Sequence, residues 1–206
     1  MELQESGLSG IRKSSVLGRE LFSSSAISKR VAELGREITG DYKDRDPIII
    51  TVLRGGTVFL TDLIKHIDLE LSIDFIGIST YKSSPQDKTT GVVKITKDLE
   101  EPVENKDIII VEDIIDTGLT VAYLLRNLKS RYPASIEICT LLDRNVKRIA
   151  DIRIKYTGFT IGDDFVVGYG LDYKQKFRNL DSIYRLNLEI VKKEIEYTAD
   201  TQASNL

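Results

Sequence analysis

Ile108-Ile109-Ile110-Val111-Glu112-Asp113-Ile114-Ile115-Asp116-Thr117-Gly118-Leu119-Thr120 is the stretch on which the fold turns. Its first four residues carry no polar side chain, as expected of a central parallel strand buried on both faces. Glu112, Asp113 and Asp116 follow at once, and a helical pattern runs from Thr120 to Lys129 with Val121, Leu124, Leu125 and Leu128 on its apolar side. Three carboxylates thus crowd the carboxyl end of a buried strand, where ligands bind in open α/β sheets. Like charges so placed are unfavourable unless a cation or a set of hydroxyl donors answers them, so Glu112 and Asp113 suit Mg²⁺, sugar hydroxyls, or both. Thr117-Gly118-Leu119-Thr120 has another character. It offers two hydroxyls, a glycine that lets backbone N–H groups converge, and a helix N-terminus, which together make an anion cradle suited to a phosphate. A ligand with a phosphate at one end and a vicinal diol nearby is a ribose 5-phosphate. The plain alternative, a solvated acidic turn with an N-capping Thr, fits any one of these residues better than it fits the whole string.

Outward from this stretch, short apolar runs alternate with helical patterns. Ile27, Val31, Leu34 and Ile38 lie on one face of an amphipathic helix that Ser24 or Ser25 can cap at its start and Gly40 at its end. Residues 48–53, 74–79, 92–96 and 136–142 read as strands, and Thr57 to Ile67 reads as a helix with Val58, Leu63 and Ile67 inward. This alternation implies an α/β sheet with helices on both faces. His66 is expected on the partly buried face of its helix and Cys139 in a strand as a small core residue. Residues 80–91, polar and containing Pro85 and Gly91, are longer than a hairpin needs and form a candidate mobile loop. From Asn187 a weak helical pattern (Leu188, Val191, Ile195) fades into a polar terminus expected to fray.

Composition bounds the chemistry. The chain has 206 residues, 41% hydrophobic and 30% charged, the make-up of an ordinary globular protein. One cysteine excludes internal disulfides and Cys-based metal sites, and one histidine excludes two-His sites within a chain. A net charge of −3 does not suggest a protein built to coat nucleic acid or anionic lipid. No apolar run approaches the roughly 18 residues of a membrane helix, and residues 1–5 lack the regions of a secretory signal, so a reduced, cytoplasmic protein is expected.

The string from Val111 to Thr120 resembles the phosphoribosyl-pyrophosphate binding signature of the type I phosphoribosyltransferases, in the form of their hypoxanthine-guanine members. The likeness runs from about Leu17 to Leu186. It implies an α/β fold with a central, mainly parallel sheet flanked by helices, a small hood and a mobile lid. The domain is expected over residues 1–186, with the lid at 79–91 and a C-terminal extension at 187–206. Leu53-Arg54-Gly55-Gly56 resembles the family's pyrophosphate loop, in which the peptide matching Leu53–Arg54 is often cis. An Arg beside glycines ahead of a helix also suits a diphosphate on its own chemistry. Ser79-Thr80-Tyr81 resembles the start of the lid, with Lys82 where the family usually has glycine. A hydrolase nucleophile elbow at Gly77-Ile78-Ser79 is disfavoured, because the second glycine is missing and His66 precedes the serine.

Residues 165–173, followed by Phe177-Arg178, resemble the purine pocket. There Phe165 would stack on the base, backbone groups at Val166 and Asp172 would read its edge, Asp172 would hold a second Mg²⁺, and Arg178 would hold pyrophosphate. Val167 reads as plain strand core. Arg144 stands where the family commonly has a lysine donating to the exocyclic oxygen of the purine, and a guanidinium donates with a planar fork and a longer reach. Lys147-Arg148 reads as a solvated surface pair. The resemblance implies transfer of a 5-phosphoribosyl group from phosphoribosyl pyrophosphate to N9 of a 6-oxopurine. Glu112 and Asp113 would hold the ribose hydroxyls and Mg²⁺, Asp116 would serve as general acid/base at N7, and Thr117, Gly118, Leu119 and Thr120 would hold the 5-phosphate. Arg54, Gly55 and Arg178 would hold the pyrophosphate. It further implies small-molecule partners only, no nucleic acid or membrane, and a homodimer or homotetramer. The competing expectation is a regulator of the same fold that senses the donor without turning it over. Such relatives acquire a basic face or an added DNA-binding domain, and this acidic chain keeps the acid/base.

Overall fold

The computed structural model describes residues 14–81 and 92–191. In chain order run β1 (Leu17–Phe22), α1 (Ser24–Asp41), β2 (Ile48–Leu53), α2 (Thr57–Leu63), β3 (Ser72–Tyr81), β4 (Val92–Lys97), β5 (Asp107–Ile115), α3 (Leu119–Lys129), β6 (Ser135–Asp143), β7 (Tyr156–Thr160), β8 (Val166–Val167) and β9 (Ile183–Leu186), with 3₁₀ turns at Ile64–His66 and Asn145–Lys147. Contacts divide the chain into two compact units: Ser25–Asp163, and Met1–Ser24 together with Asp164–Leu206.

The larger unit holds a six-stranded sheet in the order β4-β3-β2-β5-β6-β7, parallel throughout except where β4 pairs antiparallel with β3. Its centre is apolar on both sides. Ile48, Ile50, Ile108 and Ile110 form a core with Leu124 and Leu128 of α3, while Ile49 and Ile109, which alternate to the opposite face, are also fully buried. Each such Ile contributes roughly 1.5–3 kcal/mol by leaving water. On α1 the expected stripe Ile27, Val31, Leu34 and Ile38 is buried. Cys139 is buried in β6, and burial pushes its thiol pKa up.

Several boundaries differ from the sequence expectation. Helix α1 includes Ser24 and runs past Gly40, and the Ser24 N–H is accepted by Ser182 Oγ at 3.1 Å, a partner distant in sequence. Helix α2 stops at Leu63 and tightens into the 3₁₀ turn. Phe59, Leu60 and the expected Leu63 are its fully buried residues, Ile67 beyond the turn is buried as expected, Val58 is half-buried, and His66 is exposed rather than partly buried. Strand β3 continues through Tyr81, pairing Tyr81 with Val92, so Ser79, Thr80 and Tyr81 are strand residues; the rest of the expected lid, 82–91, lies outside the described residues.

The smaller unit carries an antiparallel sheet, β1-β9-β8. Val167 is core, clustered with Val16, Leu186 and Val191. The chain turns helical at 188–191, and the Asn187 side chain accepts the Ile190 N–H at 3.5 Å, so the first residues of the expected extension belong to this core. The expected frayed terminus falls outside the described residues.

Candidate functional site

Strand order reverses at β2, which has β3 on one side and β5 on the other, so the carboxyl ends of β2 and β5 flank the crevice where open α/β sheets bind ligands. The two ends are tied together. Thr51 Oγ1, fully buried, donates to the Val111 carbonyl at 2.7 Å. After β2 the Leu53–Arg54 peptide is cis, as the resemblance implies, and Arg54, Gly55 and Gly56 form the turn into α2. A Cβ on Gly55 would lie 1.8 Å from Asp113 Oδ2, so only glycine lets this turn meet the Asp113 carboxylate.

Strand β5 runs four residues beyond the apolar run, with Glu112 paired to Thr140 and Ile115 to Asp143 of β6. Glu112 and Asp113 are therefore strand residues whose side chains leave on opposite faces. Asp113 meets the Gly55 turn and accepts the Ile114 N–H at 2.9 Å. Glu112 is 6% exposed and faces a cavity of about 210 Å³ shared with Asp116, Thr117, Gly118, Thr120 and Val121. Its Oε1 has no hydrogen-bond partner among the described residues. Burial, with a smaller push from the Asp113 charge, holds its pKa well above the usual carboxylate range. A buried carboxyl left so is costly unless a ligand donates to it.

The other wall of that cavity is the start of α3. Gly118 is the N-cap at φ +79°, a conformation that glycine adopts without penalty, and with no side chain it makes no capping hydrogen bond. Thr117 instead accepts the Leu119 N–H at 3.4 Å. The first N–H groups of a helix have no intrahelical partner, so those of the first turn beyond Leu119 are donors available to the cavity. Asp116 Oδ2 pairs with Arg144 Nη1 at 3.3 Å, and Arg144 is 6% exposed.

Of the expected solvated pair Lys147-Arg148, Lys147 is exposed and pairs with Asp163 at 2.5 Å, whereas Arg148 turns inward, with Nε donating to the Asp116 carbonyl at 3.0 Å and Nη2 to Asp143 Oδ1. Half-buried carbonyl and carboxylate acceptors held at the right spacing outcompete water for a fork-shaped donor. Sequence reasoning missed both this arginine and Thr51. The one local signal was an Asp at the end of β6 and an Arg five residues on.

In the smaller unit, taken by itself, Phe165 is half-exposed while Val166 and Val167 are buried in β8. Arg178 pairs with Asp172 at 2.5 Å, donates to the Gly170 carbonyl at 2.7 Å and to Gln175 Oε1 at 3.0 Å, and Asp172 Oδ2 accepts the Gln175 N–H at 2.8 Å. A larger cavity, about 710 Å³, opens at the amino ends of β2 and β3, lined by Ile48, Ser72 and Asp74 among others. It lies at the wrong end of the strands for the Glu112–Thr120 machinery.

Among the described residues no three His, Cys, Asp or Glu side chains cluster as a metal cage. Mg²⁺ is usually held by one or two carboxylates and by substrate phosphates. The unpartnered Glu112 Oε1 and the nearby Asp113 are suitable donors.

A model of the phosphoribosyl transferase domain matches residues 18–174. The chain is 50% identical over 163 residues to the hypoxanthine-guanine phosphoribosyltransferase of Bacillus subtilis, covering 79% of this chain and 89% of that protein. It is 44% identical over 168 residues to the hypoxanthine-guanine-xanthine phosphoribosyltransferase of Tritrichomonas foetus, covering 81% and 90%. A crystal structure of a hypoxanthine phosphoribosyltransferase from Staphylococcus aureus superposes with a TM-score of 0.82 at 41% identity, covering 91% of this chain and 98% of that one.

Proposed function

The chain belongs to the phosphoribosyltransferase family, among its hypoxanthine-guanine members, and from that premise we propose how its residues perform the transfer. It is a purine salvage enzyme that moves the 5-phosphoribosyl group of phosphoribosyl pyrophosphate to N9 of hypoxanthine or guanine. The bond from C1 of the ribose to pyrophosphate breaks and a bond to N9 forms, giving IMP or GMP and free pyrophosphate.

The observation that carries the assignment of residues is the cavity that joins the buried Glu112, its Oε1 without a hydrogen-bond partner among the described residues, to the glycine-capped N-terminus of α3. Thr117, Gly118, Leu119 and Thr120 take the 5-phosphate, and Glu112 and Asp113 take the ribose hydroxyls, fixing the sugar for attack. Arg54 and Gly55 receive the leaving pyrophosphate, with Arg178 given the same role by the family likeness. Donors aimed at the charge that develops there lower the barrier electrostatically. Asp116 manages the proton at N7, a general acid/base role worth typically ~10²–10⁴-fold. Arg144 donates to the exocyclic oxygen, Phe165 stacks on the base, and backbone groups of Val166 and Asp172 read its edge. Ser79, Thr80 and Tyr81 lead into the lid that excludes water. Glu112 and Asp113 would hold one Mg²⁺ and, by the family likeness, Asp172 a second; when bound, such an ion neutralises charge on the donor's diphosphate.

A carboxylate at position 116 favours 6-oxopurines over adenine. The family likeness also implies a homodimer or homotetramer, which sedimentation would read, and a cytoplasmic location. No helix among the described residues is long and apolar enough to cross a membrane.

Incubation with Mg²⁺, phosphoribosyl pyrophosphate and each of hypoxanthine, guanine, xanthine and adenine tests the function. Nucleotide is expected from hypoxanthine and guanine and not from adenine; no product from either 6-oxopurine would refute it. Asp116→Asn is expected to cut turnover far more than donor binding, and equal losses in both would remove the acid/base role.

A further inference from the structure

We propose that Arg148, anchored by Asp143, is a positioning residue that fixes the Asp116 end of the turn between β5 and α3, an inference resting on the acid/base role given to Asp116 above. Ile115 of β5 and Asp143 of β6 are register partners, so Asp116 and Arg144 leave the sheet side by side. Beyond that point no ladder pairs the two chains, and the segment 143–150 takes over the bracing. The Arg144 N–H donates to the Ile115 carbonyl at 2.9 Å, and the Ile149 and Ala150 N–H groups donate to the Thr117 carbonyl at 2.9 and 3.0 Å. Between these, the Asp116 carbonyl accepts Arg148 Nε at 3.0 Å while Nη2 of the same guanidinium holds Asp143 Oδ1. The side chains of Arg148 and Asp143 are 20% and 18% exposed. Gly118 closes the contact, since a Cβ there would come within 3.2 Å of Arg148 Cδ.

The chemistry favours arginine. A planar guanidinium offers two edges at a fixed separation, so one can be held by a sheet-anchored carboxylate while the other holds a turn carbonyl. Asp143 lies at the end of β6 and moves only with the sheet, so Arg148 transmits the sheet's rigidity to the backbone of Asp116. The phosphate cradle keeps separate support through the Thr117 carbonyl. Arg148 therefore acts on the step that uses Asp116 rather than on retention of the donor. It touches no reacting atom.

Arg148→Lys keeps a charge for Asp143 and loses the second edge. Steady-state kinetics on the full chain should show kcat falling by roughly 10–100-fold with KM for phosphoribosyl pyrophosphate within about threefold of the parent. In an Asp116→Asn background the same substitution should cost less than about twofold further, because the two residues act as a unit. Asp143→Asn, which keeps an acceptor and removes the anchor's charge, should reproduce the kcat loss in weaker form. Thermal melts of all variants record whether the fold holds. A kcat loss that tracks the loss of melting temperature, or one that multiplies in full with that of Asp116→Asn, would overturn the positioning role. If Asp116→Asn alone leaves kcat intact, the acid/base reading and this proposal both fall. If Asp116→Asn is slow while Arg148→Lys is not, only this proposal does.

Discussion

Within the larger unit, Gly55 is tightly constrained, because its missing Cβ is what lets Asp113 Oδ2 approach the turn. Gly55→Ala places a methyl group 1.8 Å from that oxygen, and either the carboxylate or the turn must move. Misplacement of about 1 Å can cost on the order of 10² in rate, so kcat/KM for phosphoribosyl pyrophosphate is expected to fall by that order in steady-state assays. Unchanged kinetics would show that the contact is incidental. Glu112, Asp113, Asp116 and Thr117–Thr120 were legible in the sequence because they are contiguous: one strand end and one helix start deliver them together. Thr51 and Arg148 were not, because the carbonyls they hold lie 60 and 32 residues away and no local pattern marks such a partner.

Among the elements, β3 shows how a strand is fixed to its surroundings by one acid. Asp74 is 7% exposed. Its carboxylate accepts the N–H groups of Phe75 at 2.6 Å and Glu100 at 2.8 Å and pairs with Lys97 at 3.4 Å. Burial alone would raise its pKa, but the backbone donors and the Lys97 charge outweigh that and hold it below the usual carboxylate value. A pKa depressed by folding adds stability that is present above the unfolded-state value and is lost as pH falls through the folded one. Asp74→Asn is therefore expected to cost about 1–3 kcal/mol at neutral pH, and the gap should close in denaturant titrations taken well below pH ~4. A gap independent of pH would remove the charge from the explanation. Strands rich in buried apolar residues, β2, β5 and β6, were readable in sequence. Strands β1, β7 and β9 were not, since each is short and half-buried, and Tyr156–Thr160 contains Gly158. The end of β5 was misplaced because Glu112 and Asp113 look like a loop, whereas the ladder to β6 continues beneath them.

For the molecule as a whole, a donor that binds only the folded chain must stabilise it by mass action. Phosphoribosyl pyrophosphate with Mg²⁺ at 100 times its Kd is expected to add about 2.7 kcal/mol to the unfolding free energy. A thermal shift that appears with both present and shrinks when the metal is chelated would meet that expectation; no shift at saturating donor would contradict it. The sequence alone determined the α/β class, the buried centre of the sheet and the contiguous string proposed to bind phosphate and diol, because hydrophobic period and motif chemistry act over neighbouring residues. Only the tertiary structure decided that Glu112 and Asp113 part to opposite faces, that Glu112 is buried with an oxygen left without a partner, and that Arg148 grips Asp116 instead of facing water. Those outcomes depend on which strands and loops come side by side, and burial and distant hydrogen-bond partners exist only once they have.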